Sequence, residues 1–370
     1  MTDVAVRMSE PRILAERTAA QLLAGAPART PEEVAGRLLA IQGQDPRGAR
    51  LAVRARSHGL SAADIDRALT VDRSLVISWL NRGTLHLVRS EDYWPLHQLT
   101  TPQLATGCSR RLSQEGITAG EADRGVAAIE QALTRDGPLT RAQLAGQVSA
   151  AGLRTQGQAM VYLLFLASLR GLVVRGPMSG KQHAYVLARD WLGAPPAPPA
   201  AGREAALGWL ARRYLAGHSP ATEWDLAKWA GLPLRDARRG LREIAADLVE
   251  GEDGLVRLAR PADGPVPAGG PEAGPDPAPP PPRLLGTFDP LLHGWQSRTA
   301  VLGRHEPDIV RGGMFRSFAM VGGRAVGTWG VSGDQVLLTL LERVSAAHRR
   351  ALDADAEDVR RFLGLAKPGS

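Results

Sequence analysis

Two carboxamides flank a glycine at Gln42-Gly43-Gln44, and a carboxylate follows at Asp45. A carboxamide is no useful base at neutral pH, but it carries a carbonyl acceptor and an NH2 donor in one plane. Such a group can hold a water molecule through its carbonyl oxygen. The same residues also suit a helix-end cap or a plain polar surface, and Gln-x-Gln alone does not separate these readings. Asp45 stands before Pro46 as a turn former does, and it also offers electrostatic support or a base beside the glutamines. Other chemistries find little support. The eight histidines are scattered without metal-ligand spacing, so no metal is expected. Cys108 is the single cysteine and can form neither an internal disulfide nor a cysteine zinc site. No G-x-S-x-G element marks a serine hydrolase. No cofactor is expected.

The chain of 370 residues is longer than one ordinary core organises, so several small units are expected. A hydrophobic content of 44% with 22% charged residues is ordinary for a soluble globular protein. The N-terminus lacks a basic stretch followed by an apolar one, and no apolar run reaches membrane-span length, so a cytoplasmic, nucleoid-associated protein is expected. A net charge of +7 favours a polyanionic partner, because each phosphate contact releases condensed counterions. The cations are almost all arginine, which also follows from a GC-rich coding composition.

Proline-rich stretches at 194–202 and 261–283 read as linkers, the second with ten prolines and four glycines. Along the chain a pattern recurs: three helices, then a hairpin. In the first pass Thr30-Pro31-Glu32-Glu33 opens a helix whose apolar face runs through Val34, Leu38 and Ile41, ending at Gly43 and Asp45-Pro46. Helices over 49–57 and 62–68 follow, then strands over 75–80 and 84–88 around Asn81-Arg82-Gly83. The second pass has helices over 122–134, 141–148 and 157–170 and a wing over 176–181. The third has helices over 203–216, 222–230 and 234–246 and a hairpin over 248–258. This predicts an α+β, mainly α fold of tandem winged-helix units plus a small C-terminal β/α segment. The expected division is 1–105, 106–193, a linker at 194–202, 203–260, a linker at 261–283, and 284–370. The last segment reads as strands over 314–321, 324–330 and 335–340 and a closing helix over 354–363.

In such units the third helix enters the major groove and the wing touches the backbone. Lys181, with Ser179, Gln182 and His183 beside two glycines in the second wing, is a candidate phosphate contact. Arg235 and Arg239, with Arg238 and Arg242, form a basic face on the third helix of the third unit. That face serves phosphates or is a solvated face paired with Asp236 and Glu243. The third helix of the second unit is too apolar to read DNA, so that unit reads as scaffold.

The segments LLAIQGQDPRGARLAVRARS (38–57), WLNRGTLHLVRSEDYW (79–94), LLGTFDPLLHGW (284–295) and GGRAVGTW (322–329) together resemble the AlkZ/YcaQ-like winged-helix family of bacterial DNA glycosylases. The Gln-x-Gln pattern resembles the AlkZ branch, which carries an apolar middle residue where this chain has Gly43. The resemblance implies a monofunctional glycosylase in which Gln42 and Gln44 place the water that attacks C1′ of a cationic N7-alkylated purine nucleotide. It implies duplex DNA as partner, with bulky adducts and interstrand crosslinks as possible substrates, and resistance to DNA-alkylating natural products. A monomer is the default. Arg47, Arg50, Arg54, Arg82, Thr84 and Arg298 become candidate DNA contacts. His86 alternates with Leu85 and Leu87 and either faces the cleft or is a satisfied structural histidine. Asp289 and His293 either line the same cleft or touch DNA, and Asp289 equally reads as a cap or turn residue before Pro290. The alternative function is a non-catalytic winged-helix DNA-binding protein or transcriptional regulator; against it, no long heptad helix or effector motif is visible.

Overall fold

The computed structural model describes residues 10–180, 182–196, 202–251, 253–259 and 278–365. Lys181, the N-terminal nine residues and most of both expected linkers lie outside them. The described chain groups into two compact units, Met1–Ala62 with Ala201–Ser370, and Ala63–Ala200. One boundary therefore falls inside the segment 1–105, and the other falls within the expected linker at 194–202. Packing decides it: helices from 10 to 54 share a core with helices after 202, whereas the first hairpin joins the second.

In the Ala63–Ala200 unit the two expected wings are one sheet. Its antiparallel strands run Thr84–Arg89, Leu75–Leu80, Val173–Ser179, Gln182–Leu187. Leu75–Leu80 (LVISWL) is buried along its whole length, as a central strand of β-branched and aromatic residues should be. Helix Ala159–Leu169 packs its apolar residues into the core as expected, with Leu163 and Leu164 essentially inaccessible. Two helices here were not foreseen, Ser90–Thr100 and Ala105–Gln114. Pro95 inside the first and Pro102 between them mask the helical pattern. Helices Ala119–Asp136 and Arg141–Ala150 open on capping boxes, Thr118 with Glu121 and Thr140 with Gln143.

In the other unit, helix Gly202–His218 lies against helix Pro31–Leu38 and helix Leu234–Glu243. The approach is close: a Cβ on Gly217 would collide with the Arg37 carbonyl, and one on Gly240 would lie 2.5 Å from the Leu207 carbonyl oxygen. Helix Glu223–Ala230 and the hairpin Leu248–Glu250/Val256–Leu258 complete the third three-helix-and-hairpin pass. The C-terminal part is a four-stranded antiparallel sheet in the order Gln335–Leu340, Arg324–Ser332, Phe318–Val321, Arg283–Leu285. The run expected as one strand over 314–321 is split. Met314–Phe315 pairs back on Val310–Arg311, and Phe318–Val321 joins the larger sheet. The closing helix, Ala346–Phe362, begins eight residues before the expected start because Ser345 caps it through the His348 N–H.

Candidate active site

The glutamine element is shaped by a sharp turn, not by a helix end. Thr30 caps helix Pro31–Leu38, its hydroxyl accepting from the Glu33 N–H. The helix stops at Leu38 because Leu39 takes φ 62°, ψ −44°, and the Ala40 N–H donates to the Leu38 carbonyl at 2.7 Å. That is a three-residue γ-turn, a strained conformation for leucine that costs about 1–3 kcal/mol. The chain then extends through a two-residue strand, Ile41–Gln42. The expected continuation of the helix through Ile41 is therefore wrong. Ile41 is still buried, but from an extended backbone.

The two carboxamides have unlike surroundings. Gln42 is 7% exposed, and its Oε1 is buried without accepting a hydrogen bond. Gln44 is exposed. A buried acceptor left open is costly, roughly 1–3 kcal/mol, and such groups concentrate where a ligand or water is to be held. Asp45 follows as the N-cap of helix Pro46–Arg54. Its Oδ1 accepts from the Arg47 N–H at 3.0 Å and its Oδ2 from the Thr287 hydroxyl at 2.5 Å.

Residues 286–293 press on this turn. A Cβ on Gly48 would lie 2.5 Å from Thr287 Oγ1 and closer still to the Thr287 carbonyl oxygen; one on Gly286 would lie 2.9 Å from Leu51 Cβ. Phe288 is held at φ 56°. It is followed by Asp289, which is fully buried and paired with the equally buried Arg56 through bonds of 2.8 and 2.9 Å. Arg56 also reaches Gln21, whose amide donates to the Pro290 carbonyl. Asp289 Oδ1 accepts from the Leu291 N–H, the cap expected as one of its two readings. Burial overturns the other reading: Asp289 does not line a cleft. His293 is half-buried and packs on Phe315 (4.4 Å between ring centres) and Phe288 (6.1 Å). Arg298 lies over the Phe315 ring at 5.1 Å and pairs with Glu306 at 3.3 Å.

The arginines of helix Pro46–Arg54 divide. Arg47 is exposed, and its guanidinium has no partner among the described residues. Arg50 is buried and returns Nη1 to the Pro46 carbonyl. Arg54, at 2% side-chain exposure, sits between Asp355 (2.9 Å) and Asp358 (3.0 Å) and donates to the Leu284 carbonyl. Burial alone would lower its pKa, but the Asp355 and Asp358 carboxylates outweigh it and raise it. The expectation that Arg50 and Arg54 meet phosphate is corrected: both are buried inside the fold. On helix Leu234–Glu243, Arg235 and Arg239 keep 80% and 47% of their side chains exposed, each 4.0 Å from Asp236. Asp236 is held more tightly by Arg203 at 2.9 Å, and Arg238 lies 3.5 Å from Glu223.

In the Ala63–Ala200 unit, His86 is buried, with Nδ1 2.9 Å from the Thr84 carbonyl. Burial, then the Arg82 charge, push its pKa down to about 3, so it is neutral at physiological pH. Arg82 is half-buried, and burial lowers its pKa. Thr84 Oγ1 is buried without a hydrogen-bond partner. Beside them is a residue that the sequence did not single out. Asn81 is fully buried at φ 49°, and neither end of its carboxamide forms a hydrogen bond. The Asn-Arg-Gly turn signal marked its position but not this burial. Thr287 was missed for a different reason, since nothing local distinguishes one threonine before Phe288. Among the described residues no group of histidine, cysteine and acidic side chains could hold a metal ion, and no helix is long and apolar enough to cross a membrane.

A family model described as DNA glycosylase AlkZ-like matches residues 35–362. An interstrand DNA cross-link repair glycosylase of Streptomyces sahachiroi is 26% identical over 359 residues, covering 90% of this chain and 91% of that protein. The solved structure of the DNA glycosylase AlkZ of Streptomyces sahachiroi superposes with a TM-score of 0.74 at 24% identity, covering 97% of this chain and 98% of that one, so the two share a fold. The turn carrying Gln42 and Gln44 and the segment that braces it both lie within the matched residues, and the chain belongs to the AlkZ-like DNA glycosylase family.

Proposed function

We propose that this protein hydrolyses the N-glycosidic bond of cationic N7-alkylated purines in duplex DNA, with Gln42 and Gln44 positioning the attacking water. The observation that supports this most is the buried, unengaged Oε1 of Gln42 in a member of a glycosylase family. An N7-alkylated purine carries a positive charge before it leaves. When the C1′–N9 bond breaks, its electron pair returns to the ring and neutralises that charge, so no general acid is required. What remains is to stabilise an oxocarbenium-like sugar and deliver water to C1′. A carboxamide oxygen does both modestly. It accepts a hydrogen bond from the water, and its dipole turns a negative end towards the developing positive charge. Asp45 contributes through the cap it makes on helix Pro46–Arg54. Exposed Arg47, Arg235 and Arg239 meet phosphates, and the protein acts on DNA as a monomer.

The Streptomyces relative is named for interstrand crosslinks. A crosslink through N7 of two guanines presents the same cationic leaving group with a bulky substituent, so crosslinked and bulky adducts are within the proposed range. The test is base release from a duplex containing N7-methylguanine, then from an N7-crosslinked duplex. Wild type is compared with Gln42→Ala, Gln44→Ala and the double variant. Release by wild type and loss of roughly 100-fold or more in the double variant are expected. No release from either duplex removes the proposed substrate class, and an undiminished double variant removes the role given to the glutamines.

A further inference from the structure

Gly43 gives the glutamine turn a flexible centre, since glycine adds no side chain to wedge it in place. What holds its two ends therefore helps to set its geometry. The upstream end is fixed by the Leu39 γ-turn. The downstream end is Asp45, and both of its carboxylate oxygens are engaged. One bond, from the Arg47 N–H, is local and only starts the helix. The other comes from a residue 242 positions away, the Thr287 hydroxyl at 2.5 Å. Thr287 cannot drift, because it lies against Gly48 with no room for a Cβ between them. It is followed by Phe288 in a left-handed conformation and by Asp289, locked to Arg56. A rigid, buried anchor thus ends in one hydroxyl that reaches the last residue of the glutamine turn.

We propose that Thr287 is a positioning residue for base excision: its hydroxyl fixes the Asp45 carboxylate and, through it, the placement of Gln42 and Gln44. The proposal rests on the reading of the two glutamines given above. Thr287→Val keeps the branched shape and removes the hydroxyl. Single-turnover release of N7-methylguanine should fall roughly 10- to 100-fold, the cost of a small misplacement of a positioning group. Affinity for the same duplex should stay within about twofold, since the hydroxyl is engaged inside the protein and not on DNA. Thr287→Ser, which restores the hydroxyl, should recover most of the rate.

If T287V folds poorly, Asp45→Ser tests the same bond from the other side. Serine still caps the helix but is too short to reach Thr287. It should show the same loss, and T287V combined with D45S should lose no more than either alone. A wild-type rate in T287V or D45S, equal impairment of T287V and T287S, or a fall in duplex affinity parallel to the fall in rate overturns the proposal. These outcomes differ from failure of the glutamine reading, which shows as an undiminished Gln42→Ala, Gln44→Ala double variant and takes the Thr287 proposal with it.

Discussion

Two arginine-rich helices of this protein look alike in sequence and differ in kind. Pro46–Arg54 reads PRGARLAVR and Leu234–Glu243 reads LRDARRGLRE. In the first, Arg54 is enclosed by carboxylates some three hundred residues away, and Arg56, two residues past the helix, is enclosed by Asp289. In the second, Arg235 and Arg239 project into solvent beside a single buried Asp236. The difference is not in the arginines. It lies in whether a distant segment brings a buried carboxylate to them. A count of arginines in a sequence is therefore not a count of phosphate contacts.

The largest test of that contrast is Arg56→Ala. It leaves Asp289 charged, fully buried and unpaired, and removing one partner of a buried pair typically costs about 3–5 kcal/mol. Loss of cooperative folding or a large drop in melting temperature is expected. A variant as stable as wild type would show that the pair is not what holds residues 286–293. Next is the combined replacement of Arg235, Arg238, Arg239 and Arg242 by alanine. Exposed pairs contribute about 0–1 kcal/mol each, so melting should move little. DNA affinity should instead lose salt dependence, by up to about 0.9 in log–log slope for each phosphate contact removed. An unchanged slope would mean that this helix faces away from DNA.

The smallest test is at Asp358, on the outer side of Arg54. Burial raises its pKa, but bonds to Arg361 and the Arg54 charge outweigh this and lower it below the ordinary carboxylate value. A carboxylate with a lowered folded pKa takes up fewer protons than the unfolded chain as pH falls, so its stabilisation is present above about pH 4 and is lost below it. Because Asp358 is 39% exposed, screening limits the effect to about 1 kcal/mol or less. Asp358→Asn should flatten the acid limb of a melting-temperature profile by that amount. An unchanged acid limb would mean that Asp355 alone compensates Arg54.

Much of the fold was legible because it is written locally. Thr30, Thr140 and Thr222 cap helices within the expected ranges, and the β-branched and aromatic residues of Leu75–Leu80 form the expected strand. The helices around Pro95 and Pro102 were hidden because proline contradicts the periodic signal. In the site, residue types pointed to Gln42 and Gln44, but not to the backbone that presents them. A leucine at positive φ is set by tertiary packing and leaves no trace in local composition. The fates of Arg54 and Asp289 were illegible for the same reason, since each is decided by a partner more than two hundred positions away. Family resemblance marked LLGTFDPLLHGW as one block, and only the three-dimensional contacts single out Thr287 within it.

The absence of clearance between Gly48 and Thr287 also constrains how this protein can change over generations. A methyl group at position 48 cannot be accepted first and accommodated later, because the atoms it meets include main chain, which no side-chain rotation moves aside. Replacements at position 48 should therefore be tolerated only together with a shift of residues 286–288. Lineages that enlarge position 48 should be those that have rebuilt that segment, and a scan of position 48 alone should return glycine.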